Sequence, residues 1–545
     1  MCQFNIANNV NSINTCSHGT IDPVPYSLFL VPTTPDEVQK IINVLPLKYS
    51  AGVDEIPSVV VRRVSEMVSV PLCLIINRCF ESGVFSDRLK VAKVVPVHKK
   101  GDSKDITNYR PVSVLPIFSK VFERVIYNRL LDYFLRNNLF YINQHGFIPK
   151  RLTITSIFQS VNFVLDQLDK KQLVSGVYFD LSKAFDLVNH ELLLQKLEYY
   201  GVRGIANDLI KSYLGKRKMT VCIKSENKVC FSRFTEVKSG VPQGSVFGPI
   251  LFVIFTNDLN KKINLTSLYQ FADDTSCIVS SSDTVLLSDK THDVVGSMLD
   301  WCNENSLKLN TDKTSLILFK NADSEPLNVT MNGQSIDRAR SVKFLGIILD
   351  QSLVWTEQVN DIICKMNSAA YAVRLLSHQV SRPVLRTFYM ASVQSILSYS
   401  IMFWYRSSVE HANRIFIAQK RIVRLMSGIH FRETCRGKFR LLNIMTVPSL
   451  FIYTCVLFVK SNVSFFIRNI DVSNNLNTRG QNNLSVPIHR TALYDTGPMM
   501  NCVKVYNSLP QEIREIQGVD AFRRHLKEYL ISKEFYSLQD YFDSG

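Results

Sequence analysis

Apolar and polar positions along this chain alternate between a helical and a strand rhythm. Val121 to Leu135 carries Phe122, Ile126, Leu130 and Phe134 four residues apart, which predicts a helix packed on a core. Earlier, Thr34 followed by Pro35, Asp36 and Glu37 reads as a helix start, with a capping hydroxyl, a proline in the first turn and acids at the positive end. A turn-rich link from Ser50 to Pro57 leads to a helix through Val70–Phe80. Val91 to Val97 alternates as a strand and Asn108 to Ser113 reads as its return. Leu173 to Phe179 is a buried-type strand that ends at Asp180. Residues 216–238 read as a basic hairpin, and the Gly-rich loop Ser239–Ser245 feeds an apolar helix from Pro249 to Leu259. Apolar runs on either side of Asp273-Asp274 predict a β-hairpin with the two carboxylates at its tip. A helix over Met298–Leu309, a strand over Ser315–Phe319 and a hairpin over Val342–Asp350 follow. From Trp355 to Leu425 the pattern is helical and basic, with Lys365, Arg374, Arg382, Arg386, Arg406, Arg414, Lys420, Arg421 and Arg424. The last segment, Met499–Leu538, ends in an amphipathic helix carrying Phe522, Leu526, Tyr529 and Leu530. Residues 1–30 and 470–490 are polar and read as an arm and a linker.

Composition narrows the class. A length of 545 residues exceeds one compact core and suggests three or four units, at roughly 150 residues each. Hydrophobic content of 46% with 20% charged residues excludes a disordered chain. Lys+Arg of 63 against Asp+Glu of 47 leaves a formal charge of +16. Such an excess suits a polyanionic partner, most often nucleic acid, although plain solubility charge gives the same sum. The twelve Cys show no zinc spacing, and no basic-then-apolar leader opens the chain. The apolar stretch Leu450–Val459 is about half a membrane span. The expectation is an intracellular protein with reduced thiols.

Three positions carry candidate chemistry. Asp180 follows directly on a buried strand, and Asp273-Asp274 sits between two strands. Like charges this close are unfavourable without a cation between them. If the strands are neighbours in one sheet, three carboxylates meet, which is what two Mg²⁺ need for in-line phosphoryl transfer. Taken alone, the same residues fit an acidic turn and a helix-capping Asp. The loop with Lys99, Lys100, Lys104 and Arg110 suits a triphosphate, and equally a solvated basic surface.

Taken together and in order, these stretches resemble the reverse transcriptases of non-LTR (LINE-type) retrotransposons, most closely the jockey-like group. The matching runs are Ala92–Asp102, Asn108-Tyr109-Arg110-Pro111-Val112-Ser113, Gln144-His145-Gly146-Phe147, Val177–Val188, Ser239–Asp258, Phe271-Ala272-Asp273-Asp274-Thr275, Leu307–Lys313 and Phe344-Leu345-Gly346. The resemblance implies an α+β, right-hand polymerase fold with an antiparallel palm sheet. It implies a polar N-terminal arm (1–34), a helical extension (35–78), fingers and palm (79–350), a helical thumb (351–430) and a helical C-terminal region (431–545). It implies an RNA-directed DNA polymerase that extends a DNA 3′-hydroxyl with dNTPs on an RNA template. Asp180, Asp273 and Asp274, with the carbonyl of Leu181, match the ligands of two Mg²⁺, for which Mn²⁺ can substitute. Lys99 and Arg110 match cations that grip the triphosphate. Phe185 matches the aromatic that crowds the sugar 2′ position, and Gln243 and Gly244 match the loop lining the nucleotide pocket. Lys313 matches a lysine proposed to protonate pyrophosphate, and Phe344–Asp350 the primer grip. RNA template, DNA primer and target, and dNTPs are the implied partners, with no membrane; nucleus and cytoplasm are the implied location. Phe247 departs from the family's usual Leu. The family's apurinic-type endonuclease would need roughly 200 further residues before the polymerase, as a prior on domain size, so a truncated element or a piece of a longer reading frame is expected.

Two other readings compete. An RNA polymerase with the same palm is opposed by Phe185, whose ring leaves no room for a 2′-hydroxyl. A catalytically decayed or domesticated nucleic-acid-binding protein would keep the basic thumb and lose the chemistry. Host, target site, RNA specificity and oligomeric state are not legible in the residues.

Overall fold

The structure, a computed structural model, describes residues 23–225, 228–263, 267–320, 327, 329–469 and 483–544. Most of the expected arm (1–22) and of the polar linker (470–482) lies outside the described residues.

The capping reading at the first helix holds: Thr34 accepts a hydrogen bond from the Glu37 amide, and the helix runs Pro35–Val44. The next long helix, Ser65–Ser82, stops at Gly83, whose φ of 66° suits a residue without Cβ. The strands that follow are β1 (Val91–His98), β2 (Tyr109–Val114), β3 (Leu173–Phe179), β4 (Leu181–Ser182), β5 (Arg217–Ser225), β6 (Lys228–Phe231) and β7 (Thr235–Val237). Further along are β8 (Ser267–Phe271), β9 (Asp274–Ser281), β10 (Lys308–Leu309), β11 (Ser315–Phe319), β12 (Thr330–Met331), β13 (Gln334–Ser335), β14 (Ser341–Phe344) and β15 (Ile347–Asp350). They form a fingers sheet ordered β2-β1-β5-β6, with β7 also on β5, and a palm sheet ordered β11-β3-β9-β8. Every pairing in the palm sheet is antiparallel, as expected.

Strand alternation sends the palm's side chains into two cores. Val177, Phe179, Cys277, Val279, Leu316 and Leu318 face one cluster, which includes Val294 and Met298 of the helix Thr284–Glu304. Tyr178, Ile278, Ile317 and Phe319 face the other, with Ile157 and Phe158 of the helix Thr153–Asp169. This second cluster continues without a break through the β14–β15 hairpin and the helices Thr356–Leu376, Val409–Ser427, Val447–Ser461 and Val519–Lys533. Tyr178 meets Phe344 at 5.1 Å and Phe158 meets Phe458 at 4.5 Å between ring centroids. The helices past residue 350 therefore share one core with this palm face, joined to it through the β14–β15 hairpin and the helix Thr153–Asp169. The apolar stretch Leu450–Val459 is buried within the helix Val447–Ser461. Among the described residues no helix is long and apolar enough to cross a membrane.

Several helix boundaries differ from the sequence reading, two helices most. The helix expected over Met298–Leu309 begins at Thr284, where Asp283 accepts from the amides of Val285 and Leu286, and ends at Glu304. The polar run before Met298 masks its rhythm, and Lys308 and Leu309 have left the helix to pair with β4. The apolar helix expected to reach Leu259 ends at Phe255. The polar groups that follow are drawn to tertiary partners: Asn257 accepts from the Tyr141 amide at 2.8 Å, and Asp258 takes the buried Lys196 at 2.8 Å.

Candidate active site

The palm strands bring the candidate carboxylates to one end of the sheet. β3 and β9 pair up to Phe179 opposite Thr275. One residue further along, Asp180 stands across from Asp274. β8 closes on β9 with Phe271 opposite Asp274, so the turn is Ala272-Asp273. Asp273 thus sits at the tip and Asp274 opens the strand. Ala272 holds φ at 56°, a left-handed value uncommon away from glycine and favoured in two-residue hairpins.

The Asp180 charge bears on both hairpin carboxylates. Burial raises the pKa of Asp273, and the Asp180 charge adds to it, while Arg110 and Lys99 oppose. Burial raises Asp274 further, to about 6, with Asp273 and Asp180 as the next causes and Lys99 opposing. Lys99 and Arg110 belong to the fingers: Arg110 lies opposite Val97 in the β1–β2 hairpin, and Lys99 donates its amide to the carbonyl of Asn108. Their side chains are exposed, yet their charges reach the palm carboxylates. Lys313 lies 3.2 Å from Asp180, nitrogen to carboxylate oxygen. It follows the Lys308–Leu309 strand, which pairs with Leu181 and Ser182, and the Asn310 amide donates to the Asp180 carbonyl at 2.8 Å. Leu181 itself is buried in that pairing. Among the described residues, no three carboxylate, imidazole or thiol groups are closed into a ligand set. The chemistry of the donors nonetheless fits a hard divalent cation: carboxylate oxygens half-withdrawn from water, with the Asp180 charge bearing on both Asp273 and Asp274.

Phe185 and Gln243 sit on adjoining elements. The Phe185 ring stacks on Phe252 at 4.5 Å and meets Phe147 edge-on at 6.3 Å. Its carbonyl accepts from the Val241 amide at 2.8 Å, which ties the turn after Asp180 to the Gly-rich loop. Gln243 donates to Asp186 at 2.8 Å, and its carbonyl accepts from the Ser113 amide of β2 at 2.7 Å. At Gly244, φ is 108° and an added Cβ would come within 2.5 Å of the Ser113 carbonyl oxygen. The loop is therefore clamped between fingers and palm, and only glycine permits the approach.

A brace under the hairpin went unread in the sequence. Gln144 directs its side-chain oxygen at two amides, accepting from Gly146 at 2.8 Å and from Ala272 at 3.1 Å. The His145 amide donates to the Gln270 carbonyl at 2.7 Å, and the Gln270 amide donates to the Asn143 carbonyl at 3.0 Å. The His145 ring is buried, bound to Thr155 and Gln159 at 2.8 Å each, and burial lowers its pKa to about 4. The one signal available was the run Gln144-His145-Gly146-Phe147 in its place in the family's order.

Comparison with known proteins agrees with this geometry. Residues 97–349 match the family described as reverse transcriptase (RNA-dependent DNA polymerase). The chain is 28% identical over 444 residues to the probable RNA-directed DNA polymerase from transposon BS of Drosophila melanogaster, covering 78% of this chain and 48% of that protein. It is 27% identical over 417 residues to the RNA-directed DNA polymerase from mobile element jockey of the same fly, covering 74% of this chain and 45% of the relative. To the jockey polymerase of Drosophila funebris it is 29% identical over 421 residues, covering 74% and 45%. The chain spans about half the length of the curated relatives it matches.

Proposed function

For a chain whose residues 97–349 match the reverse transcriptase family and whose relatives include polymerases of mobile elements, we propose an RNA-directed DNA polymerase of the non-LTR retrotransposon kind that extends a DNA 3′-hydroxyl with dNTPs on an RNA template. One observation carries the reading. β3 and β9 bring Asp180 beside the Asp273-Asp274 hairpin, and fingers cations turn their charge onto that same spot.

In the reaction the primer 3′-oxygen bonds to the α-phosphorus, the bond to the bridging oxygen breaks, and pyrophosphate leaves. Such a transfer asks the protein for positioning and charge neutralisation. Asp180, Asp273 and Asp274, with the carbonyl of Leu181, are the groups that would hold divalent ions, taken here as two Mg²⁺ replaceable by Mn²⁺. Bound there, the ions supply Lewis-acid polarisation of the reacting oxygens and offset the charge of the phosphates. Lys99 and Arg110 pair with the triphosphate from the fingers side. Gln243 and Gly244 line the base and template side of the pocket, held there by Ser113 and Asp186. Phe185 bars a 2′-hydroxyl from the sugar position. Lys313 is the candidate proton donor to pyrophosphate, and Asp180 orients its ammonium.

Primer extension on a poly(A)-tailed RNA, with and without Mg²⁺, tests the whole reading. Extension should require both the ion and Asp273. Asp273→Asn should remove nearly all product while leaving the circular dichroism spectrum and the melting temperature close to wild type. Binding of primer–template with no extension under any divalent ion would favour the decayed, nucleic-acid-binding reading instead.

A further inference from the structure

The β5–β6 hairpin takes no part in the site described above. The charges acting on Asp273 and Asp274 are those of Asp180, Lys99 and Arg110, with Asp273 itself acting on Asp274, and none of these belongs to the β5–β6 hairpin. Strands of a packed sheet bury at least alternate residues, yet every residue of β6 is exposed. Ile223, Val229, Phe231 and Phe234 are exposed at 58%, 54%, 59% and 63%. Their positions are fixed by hydrogen bonds. Ser232 exchanges bonds with Val221 through both its amide and its hydroxyl at 2.9 Å, and its carbonyl accepts from Thr220 at 2.9 Å. The backbone is thus pinned between the two phenylalanines.

Charge accompanies these rings. Residues 216–238 hold seven Lys or Arg against two Glu. Lys224, Lys228 and Arg233 are exposed alongside the phenylalanines. β5 runs parallel to β1, from Val91 opposite Lys218 to Val94 opposite Val221, so the two basic hairpins project the same way from the sheet. Pinned, exposed aromatic rings between cations are the components of a platform on which unpaired bases stack while their phosphates are neutralised. A protein partner would use the apolar side chains but would need a strongly acidic surface to answer so large an excess of positive charge.

We propose that the β5–β6 hairpin, through Phe231, Phe234, Lys224, Lys228 and Arg233, is a second binding surface for single-stranded RNA, outside the polymerase cleft. It keeps RNA on the enzyme independently of the primer. The choice of RNA over DNA rests on the polymerase reading, in which RNA is the strand that must be retained; the stacking surface itself does not.

The test is fluorescence anisotropy of a short labelled oligo(A) RNA on the full chain, with the cleft filled by excess unlabelled blunt primer–template. Wild type should still bind the RNA. Phe231→Ala with Phe234→Ala should weaken binding roughly thirty-fold or more. Lys224→Gln with Lys228→Gln should flatten the dependence of log affinity on log salt by about 0.7 for each phosphate left without its cation. All four side chains are exposed, so circular dichroism should report an unchanged fold. RNA binding unaltered in both variants, or lost once the cleft is filled, would overturn the proposal. So would loss of self-association in light scattering with RNA binding intact, which would mark an interface between copies. Equal binding of oligo(dA) would remove the RNA assignment. An inactive polymerase with Phe231-dependent RNA binding would defeat the polymerase reading and leave this surface standing.

Discussion

Phe185 stacks on Phe252 and meets Phe147, five residues after Asp180. A carboxylate at one end of a short turn sets where the triphosphate lies, and a ring supported from behind sets how much room the sugar has. Rejection by a rigid clash discriminates more strongly than the absence of one weak attraction. Phe185→Ala should therefore raise kcat/KM for a ribonucleotide relative to the matched deoxyribonucleotide, while the total rate falls modestly. A ratio equal to wild type, with both rates lowered together, would show a ring that only fills the core. The three Asp could be picked out as candidates in the sequence because they follow or interrupt apolar strands, and strand ends are visible in pattern; Phe185 was legible only through its place in the family's motif. Gln144 could not be read that way. Its work depends on an oxygen that reaches Ala272, 128 residues away, and sequence spacing carries no trace of such a contact. Lys313 lay between these cases: its family position was legible, its 3.2 Å approach to Asp180 was not.

At the scale of elements, the segment Asn143–Gly146 and the β8–β9 hairpin behave as one unit. An added Cβ at Gly146 would stand 2.3 Å from the Ala272 nitrogen, against backbone that cannot swing aside. Gly146→Ala should displace the hairpin, lower stability by about 2 kcal/mol or more, and remove primer extension. A variant that keeps wild-type activity would show the brace to be dispensable. His145 makes the same unit sensitive to acid. Its folded pKa is lowered from 6.5 to about 4 by burial, so below pH 6.5 the unfolded chain takes up a proton that the folded chain refuses. The stability it contributes is complete above pH 6.5 and lost as the pH falls toward 4, with a ceiling of roughly 3 kcal/mol. Urea unfolding at pH 7 and pH 5 should show the drop, and His145→Gln should reduce the difference between the two. Element existence was legible wherever apolar rhythm was strong. The ends were not, because Asp283, Asn257 and Asp258 settle them through caps and tertiary bonds.

At the scale of the molecule, the basic stretch from Trp355 to Leu425 divides into two populations that its sequence shows as one. Some cations are engaged inside. Arg386 donates to the carbonyls of Leu442 and Asn443 at 2.9 and 3.2 Å, and Arg424 to that of Glu433 at 2.9 Å. Arg406 reaches Asn501 at 3.0 Å and the Asp495 carboxylate at 3.3 Å. These bonds tie the helices before residue 430 to those after it, across the continuous second core. Arg374, Arg382 and Arg421 are exposed instead. A phosphate backbone can recruit only the exposed set, since an arginine already bonded and half-buried must first break what it holds. The two sets should therefore separate by experiment. Arg374→Gln with Arg382→Gln and Arg421→Gln should leave the melting temperature near wild type. The same triple variant should reduce the salt slope of primer–template binding by about 0.7 to 0.9 for each phosphate it no longer neutralises. Arg406→Gln should do the reverse, costing about 1–3 kcal/mol in urea unfolding, because the Asp495 carboxylate and the Asn501 amide lose a charged partner, while its salt slope stays that of wild type. If the triple variant keeps the full salt dependence, the exposed arginines are solubility charge, and the backbone of the primer–template is held elsewhere on the chain.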